Sequence, residues 1–174
     1  MKGPMVLAVV SALCSAQALA AQLQVEVRVN VMRGCQLVGV TREAGIDQLG
    51  VLDFGNTARL NDPAGPLSAA LTSARLPRLE CNPDTPYQVR IDGGLHGGIG
   101  EVRYLAGDSR SSPIPYRLYR DAARRTALPV NEALSGTVPD SGSVELPLYA
   151  RIEPLAQVPR VSRYTDIVKV TVTW

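Results

Sequence analysis

Between Leu23 and Val31 apolar side chains occupy every second position: Leu23, Val25, Val27, Val29 and Val31, with Gln24, Glu26, Arg28 and Asn30 between them. A period of two is what a strand with one buried face requires. The stretch must therefore pair with something, and a one-residue slip in that pairing would turn every valine to solvent. It stands ahead of Gly34-Cys35 and at the start of the expected mature chain. From there it can pair inside its own domain or reach into a neighbour.

The residues before it read as a secretory signal peptide, residues 1–20. Lys2 precedes an apolar run from Met5 to Leu13, and Ala18-Leu19-Ala20 offers a cleavage site before Ala21. The apolar run is far shorter than the roughly 20 residues that span a bilayer. Processing at Cys14 as a lipoprotein is disfavoured by Leu13, where such sites carry a small residue. Export leaves Cys35 and Cys81 in an oxidising compartment, and an intramolecular disulfide is the expected outcome.

The charges nearly balance, with 18 Lys and Arg against 16 Asp and Glu. The arginines are scattered over strands and turns, so no basic patch with interleaved aromatics points to nucleic acid. About 150 residues suffice for one domain with a real core.

Along the chain, strands are expected over Gly50–Gly55, Leu76–Cys81, Tyr87–Ile91, Val102–Leu105 and Ile114–Arg120. Asn61 to Gly65 reads as a loop. Pro113 and Pro115 suggest a strand start or a sheet edge. Ala122 to Gly142 reads as polar and turn-rich. Val144, Leu146, Leu148, Ala150 and Ile152 read as one face of a single strand. At the end of the sequence Val168, Val170, Val172 and Trp174 share one side of a strand that is expected to be clamped. No helical period is sustained. The fold class is all-β, a sandwich, with a closed barrel as the alternative.

Catalytic chemistry finds little purchase. Gly97, Gly98 and Gly100 lack the following helix and the Lys-Ser/Thr pair of a phosphate loop, and read as hairpin turns. His96 is the single histidine, placed in a glycine turn, and two cysteines with one distant histidine do not make a zinc site. Asp53, Asp92, Asp108, Asp121 and Asp166 sit at strand ends and turns, where aspartate hydrogen-bonds the backbone. No cofactor or metal is expected, and an enzyme is not favoured.

Several patches in order resemble the spore coat protein U domain family, which includes the subunits of archaic, Csu-type chaperone-usher pili. They are the alternating segment ending Gly34-Cys35, Leu52-Asp53-Phe54-Gly55, Cys81 with Pro86-Tyr87, and Ile91-Asp92-Gly93-Gly94. Further on come Tyr116 to Arg124, the strand Tyr149 to Ile152, and Tyr164-Thr165-Asp166 leading into Val168, Val170 and Val172. The sequence departs from the pattern at Ala150 and over Arg160-Val161-Ser162-Arg163, where such chains often carry glycine.

The resemblance implies an incomplete immunoglobulin-like sandwich completed by a donor strand and carrying one disulfide, Cys35 to Cys81. The expected division is signal peptide 1–20, donor segment 21–34 and β-sandwich 35–174. Leu23, Val25, Val27, Val29 and Val31 would form the donor strand. Val168, Val170, Val172 and Trp174 would line the acceptor groove and contact a chaperone. The implied partners are a periplasmic pilus chaperone, an outer-membrane usher and other pilin subunits, and the implied destination is the periplasm and then the cell surface. A spore or cell-surface coat protein of the same fold is the second reading. A secreted carbohydrate-active β-sandwich is the third.

Overall fold

A computed structural model describes residues 24–61 and 65–174. The expected signal peptide, Leu23 and Asp62 to Ala64 of the expected loop lie outside the described residues. The chain divides into a unit ending at Val31 and a body from Met32 to Trp174.

Every regular element of the described residues is a strand. In order they are β1 (Cys35–Val38), β2 (Thr41–Glu43), β3 (Ile46–Gln48), β4 (Val51–Leu52), β5 (Leu67–Thr72), β6 (Arg78–Cys81) and β7 (Pro86–Ile91). There follow β8 (Val102–Leu105), β9 (Ile114–Tyr119), β10 (Ala133–Thr137), β11 (Ser143–Glu145), β12 (Tyr149–Ile152) and β13 (Val170–Thr173). They form a five-stranded sheet in the order β4-β5-β12-β9-β8, two three-stranded sheets, β10-β7-β13 and β1-β6-β11, and the hairpin β2-β3. All pairings are antiparallel.

The sandwich follows from alternation. Ile114, Tyr116 and Leu118 of β9, Ala150 and Ile152 of β12, and Ala69 of β5 point to one side of the five-stranded sheet. They share a core with Ile91 of β7, Leu134 of β10 and Val170 of β13 from the facing sheet. Phe54 packs edge-on against Tyr116, with ring centroids 6.5 Å apart.

Two expectations need correction. The face from Val144 to Ile152 belongs to two strands: β11 pairs with β6, and β12 pairs with β5 and β9. The chain changes sheets around Pro147, which has no N–H to continue a ladder. The turn-rich region contains β10, whose Leu134 lies opposite Val89 and reaches the core. Its Ser-Gly-Thr ending hides the alternation, yet Gly136 is required because a Cβ there would strike the ring of Tyr87 on the neighbouring strand. A strand with no counterpart among the expected ones is β5, residues 67–72, where Ala-Ala carries little β-propensity and Ala69 is buried. The strand start expected from Pro113 and Pro115 is where they fall: β9 begins at Ile114, and its pairing with β12 covers only Arg117 to Tyr119. At Pro115 the strand has a neighbour on one side alone.

Other features match the expected pattern. Cys35 and Cys81 are bonded and stand directly opposite each other on β1 and β6. Beside them Asn82 closes the edge, its side-chain oxygen accepting from Gly34 N at 2.9 Å. The turn between β2 and β3 places both Ala44 and Gly45 at positive φ, as a two-residue hairpin loop demands.

The least expected core member is Arg103, fully buried on β8 on the same face as Leu105. Its Nε donates to the carbonyl of Asp92 at 2.8 Å, Nη1 to that of Leu128 at 2.9 Å, and Nη2 to those of Ile91 and Pro129. Burial pulls its pKa down, opposed by nearby Tyr116, Asp92 and Asp166. Gly98 leaves the room for its side chain; a Cβ there would meet Arg103 Cγ.

Two outcomes test this scheme. Arg103→Met orphans several buried carbonyls and is expected to lower unfolding free energy by about 3 kcal/mol or more, read from denaturant melts. Replacing both Cys35 and Cys81 with alanine opens a loop of 46 residues and is expected to cost about 4 kcal/mol by chain entropy in the same assay.

Candidate functional site

The feature that stands out is an unfinished edge. β13 pairs with β7 on one side, Val170 opposite Ile91 and Val172 opposite Val89, and forms the border of its sheet. Along β7 the inward residues lose cover progressively: Ile91 is buried, whereas Val89 and Tyr87 are half-buried. On β13 and its approach, Val168 and Val170 pack on the core. Val172 is half-buried beyond that cluster, and Trp174 is 57% exposed. Leu52, Phe54, Leu67 and Leu71 of the opposite layer are also only partly buried. The result is an apolar inner face that fades toward solvent beside a strand with free backbone groups, the arrangement that accepts an added strand.

The expected donor segment has the complementary state. From Gln24 to Gly34 the chain forms no strand, and its alternating valines are open to water: Val25 86%, Val27 90%, Val29 84% and Val31 78% exposed. Four valines in a row of period two gain nothing from exposure. The polar face is internally matched by an ion pair between Arg28 and Glu26.

The register of β13 is set by two aspartates. Asp92, just past β7, donates its N–H to Lys169 O at 3.0 Å and accepts Lys169 N on Oδ1 at 2.8 Å. Asp166 is almost wholly enclosed and accepts from Leu95 N at 2.8 Å, Ile167 N at 2.9 Å and the Tyr116 hydroxyl at 2.7 Å. Gly94 makes this possible, because a Cβ would collide with the Asp166 carboxylate. Burial raises the Tyr116 pKa well above its ordinary value, helped by the hydrogen bond to Asp166 and by that group's charge. The motifs Asp92-Gly93-Gly94 and Tyr164-Thr165-Asp166, far apart in the chain, thus form one clamp at the root of the edge strand.

The catalytic candidates resolve into structure. His96 Nε2 lies 3.1 Å from Thr165 O and ties the glycine turn to the C-terminal segment, so it is more than a solvated loop residue. Asp53 accepts Gly55 N, Asp92 accepts Gly94 N, and Asp108 accepts Arg110 N. Asp121 accepts Thr126 N and Arg125 N, which hold its pKa below the usual range. Among the described residues no cluster of three His, Cys, Asp or Glu could hold a metal. Among the described residues there is no helix long and apolar enough to cross a membrane.

A family model of the Spore Coat Protein U domain matches residues 21–171. The chain belongs to the Spore Coat Protein U domain family. That match begins ahead of Leu23 and ends at Thr171, so it takes in the alternating segment and the first two residues of β13. No curated protein matches the chain. One similar solved structure is the CsuC–CsuE chaperone–tip adhesion subunit pre-assembly complex from the archaic chaperone-usher Csu pili of Acinetobacter baumannii. The identity is 15%, the TM-score 0.46, and the alignment covers 83% of this chain and 40% of that one.

Arg103 and the contact between Tyr116 and Asp166 escaped the sequence reading. The available signal for the first was position: in Val102-Arg103-Tyr104-Leu105 the arginine falls on the side of Leu105.

The Tyr116 shift has a definite sign. A phenol whose pKa is raised on folding loses no stability while both states are protonated. As pH climbs past the unfolded value of about 10 the unfolded chain ionises first, and folding weakens. Denaturant melts between pH 8 and 11 are expected to show an alkaline fall in stability that is shallower in Tyr116→Phe.

Proposed function

We propose that this protein is a structural subunit of a surface pilus assembled through the chaperone-usher pathway by donor-strand exchange. Residues 1–20 direct export and are removed. Residues 21–34 are the donor segment, and residues 35–174 form the sandwich that receives the donor segment of the next copy. Leu23, Val25, Val27, Val29 and Val31 enter the half-covered face beside Val168, Val170, Val172 and Trp174. Before assembly a periplasmic chaperone covers the same edge, and an outer-membrane usher exchanges that cover for the next subunit. The finished fibre lies outside the cell, where it supports adhesion and biofilm formation. No enzyme activity, cofactor or nucleic acid enters this reading.

The observation that carries it is the presence, in one chain of this family, of both an exposed period-two segment and an edge strand with a neighbour on one side alone. Each apolar side chain contributes roughly 1.5–3 kcal/mol on full burial. Five together give on the order of 10 kcal/mol gross before ordering costs, enough to hold neighbouring subunits. The family description also favours a second reading, a coat protein. The same strand exchange would then build a layer rather than a filament, and electron microscopy of the polymer separates the two.

The test is a double substitution, Val27→Asp with Val29→Asp, in the full exported chain. Detergent-resistant polymers are expected to disappear from electrophoresis without heating, while the disulfide-bonded body retains cooperative melting. Polymers equal in yield and length to those of the unsubstituted chain would sink the proposal.

A further inference from the structure

On the outer face of the five-stranded sheet, Arg117 of β9 and Arg151 of β12 stand directly opposite each other. Like charges in register across a ladder repel. Both are only partly exposed, and each has a buried Nε with no hydrogen-bond partner. Buried donors without acceptors are rare and call for a cause. Elsewhere in this chain an arginine on a strand is satisfied: Arg78 Nε donates to Glu80 at 2.7 Å.

The nearest counter-charges do not fill that role. Glu101 Oε2 is 3.8 Å from Arg117 Nε, and Glu153 Oε1 is 3.6 Å from Arg151 Nη1. Both distances exceed a hydrogen bond. Both carboxylates are about half exposed, and ion pairs of that kind contribute little. Between the two arginines and Leu155 opens a cavity of about 210 Å3, walled also by Val102, Pro115, Tyr116 and Pro154, with Glu153 at its polar side.

We propose that Arg117 and Arg151 form a receptor for one carboxylate, carried on a compact body with an apolar side. Two guanidinium forks match a planar carboxylate, which offers four lone pairs to donors that have none. A turn of the arginine side-chain torsions brings the covered Nε groups to the ligand. The apolar walls take up its carbon skeleton. Charge sets the preference: two arginines and two glutamates sum to zero, so a singly charged carboxylate is tolerated where a dianion is repelled by Glu101 and Glu153. The two arginines are on the outer face of the sheet, while Tyr116 and Leu155 connect the cavity wall to the core, and the site does not depend on strand exchange.

Equilibrium dialysis of the full chain at fixed ionic strength tests it with three labelled probes: propionate, which imitates an acidic side chain, glucuronate, a sugar acid, and sulfate. Saturable binding of one carboxylate per chain is expected, at least tenfold weaker in Arg117→Gln and in Arg151→Gln and unchanged in Arg75→Gln, an exposed arginine before β6. Arg117→Lys and Arg151→Lys, which keep the charge and the aliphatic packing, are expected to lose affinity as well. Tighter binding of propionate would assign the site to an acidic side chain of another protein copy, and tighter binding of glucuronate to an acidic sugar. Sulfate binding as tight as either carboxylate, non-saturable binding, or full affinity in the folded glutamine variants would overturn the assignment.

Discussion

A single buried guanidinium joins the two layers of this sandwich. Arg103 leaves β8 in the five-stranded sheet and donates to carbonyls at the end of β7, in the facing sheet, and to those of Leu128 and Pro129. Those carbonyls close strands or begin turns; that of Ile91 also accepts from Asn131 N at 2.8 Å, whereas the other three take their hydrogen bond from Arg103. Arginine is the side chain suited to the task, since it brings five donors in one plane and stays charged when buried. Placing a cation there is costly, and the nearby Asp92 and Asp166 offset part of that cost. The β7 terminus held by Arg103 is also where Asp92 fixes Lys169, which in turn sets the register of β13. The position of the open edge therefore depends on a polar contact in the core.

How much of this was legible in the sequence depended on whether a residue's partner was local. The alternation in Tyr87-Gln88-Val89-Arg90-Ile91 and in Ile114 to Tyr119 is a property of each strand, and both strands fall where the pattern puts them. The disulfide between Cys35 and Cys81 needed only the expectation of export and the number of cysteines left by it. β5 and β10 were not legible, because Ala69 and Gly136 are chosen by the size of neighbours across the sheet and carry no strand signal of their own. The division of Val144 to Ile152 between two sheets was hidden for a related reason. A proline in an alternating run marks a break in pairing, and says nothing about which sheet receives each half.

The candidate site was legible in outline and illegible in its supports. Val168, Val170, Val172 and the valines before Val31 announce apolar faces by period alone. That Val168 and Val170 would reach the core while Val172 and Trp174 stayed partly open is a matter of how far the opposite layer extends. The aspartates were expected at turns, and they are there. Their joint effect, with Gly94 cleared so that the carboxylate of Asp166 can approach, arises only when residues more than 70 positions apart meet.

An unpaired strand with an apolar face is a hazard that most β proteins suppress with charge, proline or a bulge. Here β13 presents Thr171 and Thr173 outward, and the charges beside it are Lys169 and, on the paired strand, Arg90 opposite Thr171. Such a weak guard makes sense if the edge is meant to be covered and selectivity lies in the occupant. A strand with five apolar positions at strict period two fits in registers that differ by two residues. Slips of one are excluded because they would bury Glu26 and Arg28 together. Among the allowed registers, only full overlap of Leu23 to Val31 buries every apolar side chain. Length and alternation together thus reject shorter or irregular segments. On the proposed function, the chain can leave its edge unprotected because the donor strand that would complete it is difficult to imitate.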